Sequence, residues 1–350
     1  MNIYLKIYIL IDFAKNGGKK QVKRLTSPVK KRIFAHRKSH KKSLLKPTMK
    51  KTPHTLLRHI RIHPATGRRT LRTSLRLANI HPASGRPPLL ALLCCILLTG
   101  CDLIDYHPYD VRITGERDVN ARNAARIEAA CKGKKTIRFV AMGDSQRWYD
   151  ETKKFVTEIN KRDDIDFVIH GGDMSDFGLT KEFLWQRDIM NGLKVPYVVL
   201  IGNHDCLGTG EEAYRKIFGP TNFAFIAGNV KFVCLNTNAL EYDYSEPIPD
   251  FDFMEKEWTN RKGEFEKTVV SMHVHPYSGV FNNNVAKVFQ YYVTQYPGLQ
   301  FCTAAHNHSF SDKVPFDDGV HYIVSDCMKS RSYLVFTITP ETYEYELVKF

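Results

Sequence analysis

From residue 136 onward, short apolar runs alternate with longer segments in which apolar residues recur every three or four positions. "TIRFVAM" (136–142), "IDFVIH" (165–170) and "VPYVVLI" (195–201) read as buried strands, and Pro196 is tolerated at a strand start. Between the first two, residues 149–162 place Phe155, Val156 and Ile159 on one helical face. Further helices are predicted over 180–191 and 211–218. "NFAFIA" (222–227) and "VKFVCLNT" (230–237) predict a hairpin across Gly228-Asn229. A helix over 252–266, a strand over 267–273, a helix over 284–295 and a strand over 299–305 continue the alternation. The end is strand-rich, over 320–326, 332–339 and 342–350. Strands that alternate with helices and then give way to hairpins predict an α/β domain with mixed sheets over 136–350.

The first hundred residues follow a different pattern. They carry 23 Lys and Arg and a single acid, Asp12, whereas residues 101–350 carry 28 against 36 acids, a net of −8. The overall charge of +14 therefore belongs to the extension and says nothing of a polyanionic partner for the domain. Within residues 1–88, "IHPATGR" (62–68) recurs as "IHPASGR" (80–86). This segment reads as a disordered extension or a start assigned too far upstream, with Met49 one later candidate. Residues 89–101 are an apolar run, Leu89–Leu98, closed by "LTGC". The run is shorter than the roughly 20 residues a spanning helix needs and fits a signal h-region.

"LTGC" resembles the lipobox of bacterial lipoproteins. That resemblance implies cleavage before Cys101, its lipidation, and an exported protein anchored to a membrane, periplasmic or surface-facing. Residues 102–135 then read as a tether and lead-in. Beyond Cys101 five cysteines remain, an odd number with no CxxC spacing, which excludes a zinc ribbon and a dense disulfide framework.

The polar residues after each strand supply the chemistry. The first strand ends in Gly143-Asp144-Ser145-Gln146, the second in Gly172-Asp173-Met174-Ser175-Asp176, the third in Gly202-Asn203-His204-Asp205. A later strand delivers His273 and His275, and the next delivers His306 and His308 in "AAHNHSF". Open α/β sheets collect their sites at the carboxyl ends of strands. Carboxylates, an amide and imidazoles together suit divalent transition metals, and a carboxylate can bridge two of them. His170 and His321 read as structural.

The order D-x-Q, GDxxD, GNHD, H, HxH resembles the calcineurin-like metallophosphoesterase family over about 136–310. The resemblance implies two mixed β-sheets packed face to face and flanked by helices, a four-layer sandwich. It implies two divalent ions (Mn, Fe or Zn) and hydrolysis of a phosphoester with water as nucleophile. Asp144 and His308 would bind the first ion, Asp173 would bridge, and Asn203, His273 and His306 would bind the second. His204 would serve the leaving group as an acid, with Asp205 orienting its ring.

Gln146 stands where the family usually has His, so its carbonyl oxygen would be a weaker ligand to the first ion. Ala305 replaces a Gly before the last motif, and His275 reads as supporting the ligands. Arg147, Asn307, Trp148 and Arg331 are candidate substrate contacts. A non-catalytic binding lipoprotein and a metal-dependent nuclease are the competing readings. The negative balance of the mature part speaks against a long nucleic acid partner.

Overall fold

The computed structural model describes residue 107, residues 109–242 and residues 245–350. The basic extension, the h-region and Cys101 lie outside the described residues. Helix α1 (Val119–Cys131) leads into strand β1 (Ile137–Met142), α2 (Tyr149–Ile159), β2 (Phe167–His170), α3 (Thr180–Met190), β3 (Tyr197–Val199) and α4 (Gly210–Ile217). Then come β4 (Phe223–Ala227), β5 (Val230–Leu235), α5 (Phe251–Thr259), β6 (Lys267–Met272), α6 (Ala286–Thr294) and β7 (Leu299–Ala304). Four strands close the chain: β8 (Ser311–Lys313), β9 (Tyr322–Val324), β10 (Ser332–Ile338) and β11 (Tyr343–Lys349).

Two mixed sheets result, as the motif order implied. One runs β11-β10-β1-β2-β3 and the other β4-β5-β6-β7-β9-β8. β1, β2 and β3 are parallel, and so are β5, β6, β7 and β9; the hairpin strands pair antiparallel at the margins. The continuous apolar runs have a simple cause: each central strand is covered on both faces. Phe139, Phe167, Phe232 and Phe336 point between the sheets. Phe139 stacks on Phe167 at 5.4 Å and on Phe336 at 4.9 Å, and meets Phe232 edge-on at 5.1 Å. The alternate residues Val140, Met142 and Val168 face α2 and α3 through Phe155, Ile159 and Phe183. On the other side Val233, Val270 and Met272 meet Met254, Phe289 and Val293 of α5 and α6. Three apolar layers make four structural ones.

The lead-in expected over 102–135 is more than a tether. Its helix α1 buries Val119, Ile127 and Cys131 and lays two amides along β3, an edge strand. Asn120 donates to the Val199 carbonyl and accepts from the Val199 N–H, both at 2.8 Å, and Asn123 donates to the Tyr197 carbonyl at 2.8 Å. Side chains thus stand in for the missing neighbour strand. Helix α5 is shorter than the predicted 252–266. The buried Lys231 ammonium donates to the carbonyls of Glu257 and Asn260 at 2.6 and 2.8 Å, satisfying groups at the helix end. Strand β8 is polar and three residues long, and no apolar pattern announced it.

Asn120→Ala would strand the Val199 N–H in a buried edge. We expect a loss of about 1–3 kcal/mol of stability, read as a lower urea midpoint with an unchanged slope.

Candidate metal centre

The carboxyl ends of β1, β2, β3, β6 and β7 deliver the expected residues to one place. Asp144 is fully buried; its Oδ2 accepts from the His306 N–H at 3.0 Å. Its Oδ1 has no hydrogen-bond partner, and His308 Nε2 stands 3.3 Å away. One donor atom each from Asp144, Asp173 and His308 lie within 4.8 Å of one another. Beside them, Asn203 Oδ1 lies 3.1 Å from His273 Nε2 and 2.8 Å from His306 Nδ1.

His273 fixes the sense of this second cluster. Its Nδ1 donates to the Gly171 carbonyl at 2.7 Å, so in the neutral ring Nε2 is a bare lone pair. That lone pair faces the Asn203 oxygen and stands 3.4 Å from Asp173 Oδ1. Burial opposes a charged His273, but the Asp173 charge and hydrogen bond overcome it and push the ring up to about 9, so a proton on Nε2 satisfies these oxygens where a metal ion could take its place. His306 moves the other way, down to about 4, through burial and the neighbouring His273 charge. The orphaned Asp144 oxygen, with donor atoms of Asp173 and His308 beside it, suits a divalent ion.

The family model of the calcineurin-like phosphoesterases matches residues 137–310, the segment that carries all of these groups. Residues 137–310 are a calcineurin-like phosphoesterase domain. Among solved structures, a dimetal phosphatase from Danio rerio matches at 12% identity and a TM-score of 0.50, over 61% of this chain and 97% of that one. A purple acid phosphatase from yellow lupin seeds gives 15% identity and a TM-score of 0.48, over 62% of this chain and 52% of its own. GAP50, the anchor in the inner membrane complex of Plasmodium, gives 14% and 0.47, over 62% and 85%. At such identities the likeness is one of fold. No curated protein matches the sequence.

In the phosphoesterase domain the ligand backbone is unusual. Among the described residues, ten other than glycine have positive φ, and five of these are Asp144, Gln146, Asp173, His306 and His308. Such conformations are sparsely populated, and their concentration on one cluster marks a site the fold holds in place. Close approach matters too. A Cβ on Gly202 would lie 2.2 Å from Asp173 Oδ1. Ala305 has no positive φ, and its methyl group rests where a side chain on Gly143 would otherwise be, 2.9 Å from that position. The Gly-to-Ala departure is therefore accommodated by a glycine on the facing strand end.

Gln146 is buried beside Asp173. Its amide donates to Asp173 Oδ2 at 2.9 Å, and its backbone N–H donates to the Asp173 carbonyl at 2.9 Å. The side chain steadies that carboxylate and leaves Oε1 as the atom a cation would meet.

The expected pairing of His204 with Asp205 does not occur. Asp205 is fully buried and accepts from the backbone N–H groups of Gly202, Asp173, Met174 and Ser175 at 2.9, 2.9, 3.3 and 2.8 Å, and from the Ser175 hydroxyl. Burial and the Asp173 charge push its carboxyl up to about 6, against those donors. Asp205 is a backbone clamp because adjacent residues on a tight turn point apart. The His204 ring is held elsewhere: Nδ1 lies 2.8 Å from the Asp176 carbonyl and 3.7 Å from its carboxylate. Asp176 was legible as the last residue of GDxxD but had been given no role.

The remaining candidates divide. Arg147 pairs with Asp176 and stays more than half exposed. Asn307 is held by its amide against His275 Nε2 at 2.7 Å, so His275 touches the residue between His306 and His308 and neither of those rings by hydrogen bond. Trp148 packs into the core beneath Lys329, and Arg331 pairs with Glu151. His321 pairs with Asp312 away from the centre.

His170 is fully buried, its Nε2 2.8 Å from the Ser145 hydroxyl and its Nδ1 accepting from Gly172 N–H at 3.2 Å. Burial, with help from the His273 charge, pushes its ring down to about 3, from an ordinary 6.5. The unfolded chain binds that proton first, so the contribution is complete above about 6.5, fades as pH falls, and is gone near 3. His170→Asn should flatten the slope of unfolding free energy against pH across that window, measured by urea denaturation at stepped pH.

Proposed function

We propose that the domain hydrolyses a phosphoester at a dinuclear metal centre with water as nucleophile. The observation that carries this reading is the buried, unpartnered Asp144 oxygen, grouped with donor atoms of Asp173 and His308 within 4.8 Å and flanked by Asn203, His273 and His306. Asp144, Gln146 and His308 would hold one ion, Asn203, His273 and His306 the other, and Asp173 both. Bound there, Mn, Fe or Zn ions would supply hydroxide near neutral pH and neutralise charge on the phosphoryl oxygens.

The protein's own groups do the rest. Because His204 Nδ1 donates to the Asp176 carbonyl, Nε2 is the atom that carries a transferable proton when the ring is charged. The ring is about one-third exposed and follows Asn203 directly, so it stands at the mouth of the centre, where the leaving oxygen departs. Asp205 contributes by fixing the turns that present Asp173 and Asn203. A non-catalytic scaffold has no observation in its favour, and the −8 balance of residues 101–350 gives a nuclease no support. We further propose that the chain is an exported lipoprotein joined to a membrane through Cys101, on the strength of "LTGC" after Leu89–Leu98.

An alkoxide needs a proton to leave and a nitrophenolate barely does, and general acid assistance contributes typically 10²–10⁴-fold. His204→Ala should keep its metal content and lose about 10²-fold or more on an alkyl phosphoester, with a much smaller loss on a nitrophenyl one. Asp173→Ala should lose metal and activity together. Equal losses on both esters for His204→Ala would give this residue another role. For the anchor, wild type expressed in a bacterial host should begin at Cys101 and sediment with membranes, whereas Cys101→Ala should stay uncleaved or soluble. Recovery of an intact wild-type chain containing residues 1–100 would remove the lipoprotein reading.

A further inference from the structure

A groove of about 440 Å³ runs between α2 and α3, and its near end is Arg147, the residue after Gln146. Its walls include Tyr149, Trp185 and Ile189, with Asp150 and Asp188 along the edges. The volume is that of a small-molecule site. Trp185 is 54% exposed although it sits on a packed helix, and it meets Tyr149 edge-to-face at 5.7 Å and 90°. An indole face left in water beside a second ring is a stacking platform without an occupant among the described residues.

A relay of side-chain contacts runs from this groove to the centre. The His204 ring is held by the Asp176 carbonyl, the Asp176 carboxylate is paired with Arg147, and the Arg147 side chain lines the groove. The oxygen that His204 would protonate therefore has Arg147, and beyond it the groove, two contacts away.

We infer that the groove is the leaving-group subsite and takes a planar aromatic ring carried on the alcohol half of the phosphoester. This rests on the hydrolase reading above. The ring stacks on Trp185. Asp150 and Asp188 line the groove with side chains 80% and 62% exposed; each pairs through Oδ1, with Lys153 and Arg187, and keeps a second carboxylate oxygen for N–H or O–H donors on the ring. A nucleoside and a simple arylmethyl alcohol share this chemistry, and the arms of the test separate them.

The test uses the metal-loaded full chain and three monoesters that each release a primary alkoxide: adenosine 5′-monophosphate, benzyl phosphate and glycerol 3-phosphate. All three place a similar demand on the acid, so differences report the subsite. Trp185→Ala should lower kcat/KM for the adenosine ester about tenfold relative to glycerol phosphate, carried mainly by KM, since stacking on an aromatic side chain has about that worth. Trp185→Phe should restore most of the loss, which a merely structural role would not predict. A parallel fall for benzyl phosphate means that the ring alone is read; a fall for the adenosine ester alone means that the nucleoside is. Adenosine added without metal should quench tryptophan fluorescence in the wild type and not in Trp185→Phe. If the wild type cleaves none of the esters while adenosine still quenches, the monoesterase reading fails and the subsite stands. An unchanged ratio in Trp185→Ala, or no quenching that depends on Trp185, overturns the subsite.

Discussion

Two buried carboxylates hold the turns on which the centre depends. Asp205 gathers four backbone N–H groups, from Gly202, Asp173, Met174 and Ser175, and so ties the turn after β3 to the turn after β2. Glu182 continues along the same loop and accepts from Asp176, Phe177 and Leu179 N–H at 3.2, 3.0 and 3.3 Å. The N–H groups held by Asp205 would otherwise be buried donors without a partner, at about 1–3 kcal/mol apiece. The same bonds set the positive φ of Asp173 and bring Asn203 and His204 to its side. Stability and site geometry are here one set of contacts.

From that clamp the electrostatics of the centre follow. Asp144, Asp173 and Asn203 converge with His273 and His306, and one oxygen of Asp144 is left without a donor. A proton on His273 is held tightly against burial because the Asp173 carboxylate faces it. Asp144, Asp173 and His273 are buried, so their charges act with little screening, whereas His204 and His308 are partly open to water.

The two departures from the family pattern read differently once the packing is known. Ala305 sits against a glycine across the strand ends and costs the centre nothing visible. Gln146 has a contact that an imidazole in its place would make with different geometry: its amide donates to the Asp173 carboxylate.

The apolar pattern by itself determined an α/β domain with mixed sheets, because runs of strand length alternating with amphipathic helices bury both faces of such sheets; the face-to-face pair of sheets followed from what the motif order resembles. The sequence also marked the candidate ligands, since each follows a strand at a fixed spacing and parallel strands bring such positions to one edge. Tertiary structure decided what spacing cannot encode. Which neighbour orients His204 depended on how the turn after Asn203 folds, and adjacency in sequence pointed wrongly to Asp205 when Asp176, 28 residues earlier, holds the ring. The amides of Asn120 and Asn123 close the β3 edge over 79 and 74 residues of separation, so no local pattern marked α1 as part of the domain. Lys231 ended a helix from a distant strand, and the groove beside Trp185 exists only because α2 and α3 pack side by side. Local periodicity is a property of the chain; a hydrogen bond between distant turns is a property of the packed molecule.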